Sequence, residues 1–171
     1  MTKLQRYAGV AASITLMLFG IGSLYSGIDG RAEVRDNIER EQIVGTPDMA
    51  GIADKKIETG ADARKFADGI RKHTLEATGG RTYAEMPRYM GKDGKPTNDE
   101  KAADVNPESG KPVDNPERQI WVTSTALSTA LNTSFFAENV ANFAIVMGIA
   151  LLLIGAGFLV MTGRVLRARN T

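Results

Sequence analysis

The chain of 171 residues contains no cysteine and one histidine, His73. Without cysteine, disulfide bonds, thiolate metal sites and cysteine nucleophiles are excluded. One histidine cannot build an iron site of two histidines and a carboxylate, nor a zinc site of several histidines. No serine or carboxylate pattern marks His73 as an acid–base catalyst, so we expect it to be a surface or partly buried residue of a helix. The sequence predicts no catalytic, cofactor-binding or metal-binding residue.

Motifs for phosphate binding and for serine hydrolysis are also missing. The chain has no P-loop, no G-x-G-x-x-G and no G-x-S-x-G. The acidic residues after Arg88 do not meet the EF-hand spacing, because Lys95 stands where an oxygen ligand is needed and no glutamate closes the loop. We therefore expect no cofactor, no bound metal and no small-molecule substrate.

The two ends of the chain lack acidic residues. All 20 acidic residues lie between Asp29 and Glu138 together with 16 of the 21 basic residues, so this middle segment has a formal charge of −4. The remaining basic residues are Lys3, Arg6, Arg164, Arg167 and Arg169. A nucleic-acid-binding protein would concentrate basic residues in one patch, so we expect no nucleic-acid partner. The positive-inside rule instead predicts that both termini are cytoplasmic.

Two long runs without charge define the predicted architecture. They are AGVAASITLMLFGIGSLYSGI at 8–28 and VANFAIVMGIALLLIGAGFLVM at 140–161. As helices, both are long enough to cross the ~30 Å hydrocarbon core of a bilayer. The alternative for the first run is a cleaved signal peptide. Its length, and the lack of a small-x-small cleavage site after it, favour a retained transmembrane helix.

The segments next to these runs carry further helix signals. The charged stretch after residue 28 has good helix formers, so we expect the first helix to continue outward until Gly45 and Pro47 stop it. Asn115 is a suitable N-cap with proline after it, and no further proline occurs before Arg169. The sequence therefore predicts one helix from Pro116 through the membrane to Arg169.

The middle segment contains one clear amphipathic helix and one polar stretch. Apolar residues recur at helical spacing over 61–78, and Gly79-Gly80 supplies the C-cap. Residues 88–114 are rich in Lys, Asp, Asn, Gly and Pro, which predicts a mobile surface loop. We expect Trp121 to pack against the soluble helix or against a partner. We expect Glu138 to extend to the outer membrane interface and to cap nothing.

Small residues recur every seven positions in both apolar runs. They are Ser13, Gly20 and Gly27 in the first run, and Ala141, Gly148 and Gly155 in the second. When the runs are aligned antiparallel at equal depth, the predicted pairs are Ser13 with Gly155, Gly20 with Gly148, and Gly27 with Ala141. Small residues permit the close backbone contact that stabilises helix pairs in lipid. Glycine and alanine are also common in membrane helices that lack such contacts.

These patterns predict an all-α membrane protein. Its two transmembrane helices form an antiparallel hairpin, extended outward, and a small helical extracytoplasmic domain carries a long polar loop. The predicted order is a cytoplasmic N-terminus (1–7), a first transmembrane helix (8–28), the extracytoplasmic domain (29–139, with the loop at 88–114), a second transmembrane helix (140–161) and a basic cytoplasmic C-terminus (162–171).

Two stretches resemble a known family. HTLEATGGRTYAEM (73–86) and NPERQIWVTSTALSTALNTSFFAENVA (115–141), with a membrane helix on each side, resemble a family of small two-pass actinobacterial membrane proteins. Members often carry an automatic label of aromatic ring-opening dioxygenase. The resemblance spans most of the chain and implies a two-pass membrane protein with an extracytoplasmic domain and no established activity. The residues do not support the dioxygenase label, because its iron would need ligands that this chain lacks.

The expected function is non-enzymatic. We expect a plasma-membrane protein of the cell envelope whose extracytoplasmic domain binds an unidentified membrane or envelope protein, or a second copy, as an accessory or structural subunit. The first alternative is a small oligomeric channel or transporter accessory, which ion flux in liposomes would reveal. The second is an enzyme acting on a small aromatic compound, as the family label implies, which the iron content of the purified protein would test.

Overall fold

Helices dominate the computed structural model, which describes residues 3–167 and the side chains of residues 7–163. Helix α1 spans Lys3–Arg40, α2 spans Gly60–Ala77 and α3 spans Pro116–Arg167. A 3-10 turn at Tyr83–Glu85 and two short strands complete the described elements. Both α1, with 38 residues, and α3, with 52, are long and apolar enough to cross a membrane. The basic side chains at the two ends, on which the orientation was predicted, lie outside the described side chains.

The bounds of the helices agree with most of the predicted bounds. The predicted N-cap is present, because the Asn115 side-chain oxygen accepts the backbone N–H of Glu117 at 3.1 Å. The predicted extension of the first helix to Gly45 was too long. Helix α1 ends at Arg40, and Gln42 has a φ of +51°, a left-handed conformation that stops a helix before any glycine is reached.

The chain divides into two compact units. The first contains the described parts of residues 1–41, 58–60 and 134–171, so it holds α1 and the apolar part of α3. The second contains residues 42–57 and 61–133, with most of α2, both strands and the start of α3.

In the first unit, α1 and α3 approach each other at small residues. A methyl group built on Gly20 would lie 2.9 Å from the carbonyl oxygen of Gly148, and one on Gly27 would lie 2.7 Å from that of Ala141. On Gly155 it would lie 3.0 Å from the carbonyl oxygen of Ser13. These are the three pairs that the sequence register predicts. The Ser23 hydroxyl also donates to the Ala144 carbonyl at 2.8 Å, so the helices share a polar contact.

In the second unit, Trp121 joins the start of α3 to the end of α2. Its side chain is buried, and its Nε1–H donates to the Arg81 carbonyl at 3.0 Å and to the Thr78 hydroxyl at 3.3 Å. The Arg71 guanidinium of α2 lies 5.6 Å from the ring centroid. The prediction that Trp121 packs against the soluble helix is confirmed.

The polar segment 88–114 contains regular structure that the sequence did not predict. Strand β1 (Tyr89–Met90) pairs antiparallel with β2 (Pro96–Thr97). Isolated bridges join Tyr89 to Asp114, Gly91 to Ala103, and Val105 to Pro112. Ala103 is 1% exposed. Backbone pairing therefore organises this loop, and its polar composition concealed the pairing because few apolar side chains are involved.

Candidate functional site

Glu138 of α3 is a buried charged side chain of the first unit and lies at the centre of an ionic cluster. It is 6% exposed and lies just before the predicted membrane span. Its Oε1 accepts a hydrogen bond from Arg35 Nε at 2.7 Å, and the second Arg35 donor, NH2, also lies at 2.7 Å. Arg31 Nε, one turn away on α1, lies at 3.5 Å. Oε1 of Glu138 therefore contacts the guanidinium groups of two arginines of α1.

The second carboxylate oxygen binds a backbone group. Glu138 Oε2 accepts the N–H of Gly60 at 2.6 Å. Gly60 is the first residue of α2, where a backbone N–H has no partner inside its own helix. A Cβ atom at this position would lie 2.8 Å from the Phe135 Cα, so only glycine brings its backbone this close. Glu138 therefore supplies a helix cap from a distant part of the sequence.

The electrostatic balance keeps Glu138 ionised. Burial alone would raise the pKa of Glu138, but the hydrogen bonds from Arg35 and Gly60 and the charges of Arg35 and Arg31 outweigh burial and lower it below its ordinary value of 4.5. The carboxylate is therefore negatively charged at neutral pH, opposite the positive charges of Arg31 and Arg35. The cluster acts instead as a fixed ionic joint.

The expectation that Glu138 caps nothing was wrong, because its carboxylate accepts the free N–H of Gly60. A buried carboxylate is stable only when it has hydrogen-bonding or charged partners. Two arginines and a free helix N–H are within reach of Glu138, so its side chain binds them. One signal was present in the sequence. In each of the three small-residue pairs, the two residue numbers add up to 168. In the same antiparallel register, Glu138 lies opposite residue 30, next to Arg31. No comparable signal pointed to Gly60.

His73 also has a partner that the sequence did not reveal. Its Nε2 lies 2.6 Å from Asp48 Oδ2, and Lys72 Nζ lies 3.3 Å from the same oxygen. The Thr46 hydroxyl donates to Asp48 Oδ1 at 2.6 Å. The His73 hydrogen bond is the largest cause that lowers the pKa of Asp48 well below its usual range, followed by those of Thr46 and Lys72. All of these side chains are exposed or half-buried.

The His73 pair does not form a catalytic triad. Between residues 7 and 163, the side-chain partner of His73 is the Asp48 carboxylate, and no hydrogen bond joins His73 to a serine or threonine hydroxyl. The same residues contain no group of three or more histidine, aspartate or glutamate side chains able to hold a metal ion.

Comparison of the chain with protein-family models, with curated proteins and with solved structures finds no match. The candidate site is therefore defined by its own geometry. Its central feature is the ionic joint of Glu138, Arg31, Arg35 and Gly60.

Proposed function

We propose that this chain is a non-enzymatic, two-pass protein of the plasma membrane. In this proposal, 8–28 and 140–161 form an antiparallel transmembrane hairpin with both termini in the cytoplasm. The segment 29–139 is an extracytoplasmic domain that binds a membrane or envelope protein, or a second copy of the chain. The resemblance to two-pass actinobacterial membrane proteins is consistent with this role.

The observation that carries the proposal is the apolar surface of the long helices. Phe19 of α1 and Leu153 of α3 are each 69% exposed, whereas Ser13 is fully buried and Gly20 and Gly148 lie in close backbone contact. A soluble helix pair would place its large apolar side chains inside and its small residues without preference. Large residues outside and small residues at the contact are the arrangement that lipid favours.

A second observation supports binding to a protein. Ile120 and Leu127 are 41% and 47% exposed, and they lie seven residues apart, on one face of α3. This part of α3 precedes the predicted membrane span, so lipid does not cover it in the proposed topology. Apolar side chains on an exposed helix face are suited to contact with another protein.

Topology is tested by cysteine labelling, for which the cysteine-free chain is a ready background. Lys95→Cys should react with a membrane-impermeant thiol reagent in intact cells, and Asn170→Cys should react only after the membrane is permeabilised. Labelling of Asn170→Cys from outside would contradict the proposed topology.

Binding to a partner is tested by photo-crosslinking in native membranes. A photoreactive amino acid at Leu127 should give a discrete adduct, whose mass distinguishes a foreign protein from a second copy. The matched control is the same amino acid at Thr125, which is also exposed but lies about 200° around the helix. Lack of any adduct at Leu127, or equal adducts at both positions, would reject an interaction face here.

A further inference from the structure

A cleft opens in the second unit beside the start of α3. Its volume is about 280 Å³. Two arginines, Arg88 and Arg118, line it, together with Asp114 and the apolar surfaces of Tyr83 and Val122. Tyr83 and Val122 are 44% and 47% exposed, so the cleft offers accessible apolar area next to its charges.

Among the described side chains, the two guanidinium groups of the cleft have no acidic ion-pair partner. Neither Arg88 nor Arg118 takes part in an ion pair within the described side chains. The Arg118 guanidinium lies 4.0 Å from the centroid of the Tyr83 ring, which holds it in place without neutralising it. In the part of the chain whose side chains are described, no ion pair joins Asp114 to either arginine. Two arginines and one aspartate give the cleft a formal charge of +1.

A buried asparagine fixes the backbone positions of both arginines. Asn115 is 1% exposed, and its backbone N–H donates to the Arg88 carbonyl at 2.8 Å. Its side-chain nitrogen donates to the Pro87 carbonyl at 3.0 Å. On the other side, the Arg118 N–H donates to the Asn115 carbonyl at 3.1 Å. One residue therefore ties the backbone of Arg88 to the first turn of α3, which carries Arg118.

We propose that this arginine cleft (Arg88, Arg118 and Tyr83) binds a carboxylate of the partner protein, presented next to an apolar side chain. The inference rests on the interaction function proposed above and names the chemistry of the partner. Guanidinium groups bind carboxylates through two parallel hydrogen bonds, and the Arg118 guanidinium, already held against the Tyr83 ring, loses little freedom in doing so. A carboxylate carries one charge and neutralises the cleft, whereas a dianionic phosphate would leave negative charge beside Asp114.

A small probe tests the chemistry directly on the full chain. We suggest following arginine Nε–H signals by NMR in lipid nanodiscs during titration with N-acetylphenylalanine, which has a carboxylate and an apolar ring. The matched probe is N-acetylphenylalaninamide, which has no charge. The acid should produce saturable shifts and the amide should not. Equal binding of acid and amide, or tighter binding of inorganic phosphate, would overturn the proposal.

Variants assign the binding to the cleft. Arg118→Gln and Arg88→Gln should each weaken the acid probe by roughly tenfold, since each removes one charge-assisted hydrogen-bonding group. Arg118→Lys keeps the charge but loses the planar fork, so an intermediate affinity is expected. Lys101→Gln is the control, because it removes an exposed positive charge of the same loop that does not line the cleft. If Lys101→Gln loses as much affinity for the acid probe, the effect comes from the overall charge of the loop and the proposal is overturned.

The crosslink at Leu127 separates this proposal from the function on which it rests. If the partner adduct is lost in Arg118→Gln and kept in Lys101→Gln, the cleft contributes to partner binding. If the adduct persists unchanged in Arg118→Gln, the interaction function stands and the cleft proposal fails. If the wild-type chain gives no adduct while the acid probe still binds, the interaction face at Leu127 is rejected and the carboxylate preference of the cleft survives.

Discussion

Glu138 and Asp48 are two carboxylates with short hydrogen bonds in very different surroundings. Glu138, in the first unit, is 6% exposed and accepts from Arg35 at 2.7 Å and from Gly60 at 2.6 Å. Asp48, in the second, has a side chain that is 48% exposed and meets His73 at 2.6 Å. The distances are alike, so distance alone does not rank the two contacts.

Solvent access distinguishes the two carboxylates. If a partner of Glu138 is removed, a charge stays behind where water cannot fully replace the lost contact, and the cost approaches that of a buried unpaired group. If a partner of Asp48 is removed, water hydrates the groups that remain. We therefore expect substitutions in the first unit to cost more than substitutions of similar contacts in the second, and four predictions test this difference.

The largest effect is expected from Glu138→Gln. The change keeps the shape of the side chain but leaves the charges of Arg31 and Arg35 without a counter-ion, and we expect a loss of roughly 2–3 kcal/mol in the free energy of unfolding. This lies at the low end for buried pairs because the Arg35 side chain is 35% exposed. The measurement is thermal or denaturant unfolding in detergent micelles. Glu33→Gln, at an exposed position of α1, is the control and should be neutral.

The same variant has a pH signature. The folded pKa of Glu138 is lowered below its ordinary value of 4.5, so its stabilisation is fully present above about that pH and is lost as the pH falls through the folded pKa. The wild-type chain should lose stability over this acidic range, and Glu138→Gln should show a smaller loss. A wild type and a variant with parallel pH profiles would show that the Glu138 joint does not stabilise the fold.

The next effect concerns the contact between α1 and α3. Gly20→Leu places a side chain where even a methyl group would lie 2.9 Å from the Gly148 carbonyl oxygen, and overpacking of this kind costs about 1–3 kcal/mol. Gly22→Leu is the matched control, because a Cβ atom there meets nothing within 4 Å. Gly20→Leu should lower the unfolding midpoint in micelles or nanodiscs, and Gly22→Leu should leave it unchanged. An equal lowering in both variants would mean that the loss does not come from the contact between α1 and α3.

These two sites also show what a sequence can predict. The Gly20 to Gly148 pair was predictable, because helical periodicity and equal membrane depth together reduce the pairing of two helices to one register. The Glu138 to Gly60 bond was not, since the two residues are 78 positions apart and the segment between them includes loops without periodicity. Asn115 illustrates both cases. The N-cap that Asn115 forms on α3 can be predicted from the local sequence. Its hydrogen bond to the Pro87 carbonyl depends on the path of the polar loop 88–114, which brings the two residues together.

A smaller effect is expected at Trp121, in the second unit. Trp121→Phe keeps an aromatic ring but removes the Nε1–H that donates to the Arg81 carbonyl, for which we expect a loss of about 1 kcal/mol. Trp121→Leu should cost more, because it also loses ring area and the contact with Arg71. The unfolding midpoint and the near-UV circular dichroism of both variants check this order. If Trp121→Phe costs as much as Glu138→Gln, burial of charge does not set the ranking.

The smallest effect is expected where the exposed carboxylate meets His73. Asp48→Asn removes the charge that His73 and Lys72 face, and His73→Ala removes the imidazole, yet water reaches every group that is left behind. The pKa of Asp48 is lowered in the folded state, so any stabilisation by this ion pair is present above the ordinary pKa of aspartate and is lost as the pH falls. At neutral pH, salt screens the attraction between these exposed charges. Neither variant should shift the unfolding midpoint measurably in 0.15 M salt, at which the screening length is about 8 Å. The double variant should behave like the single variants.

Thr46→Val is the control for Asp48→Asn, because it removes only the hydroxyl donor to the same carboxylate. A clear loss of stability in Asp48→Asn that is absent from Thr46→Val would show that this exposed ion pair stabilises the fold.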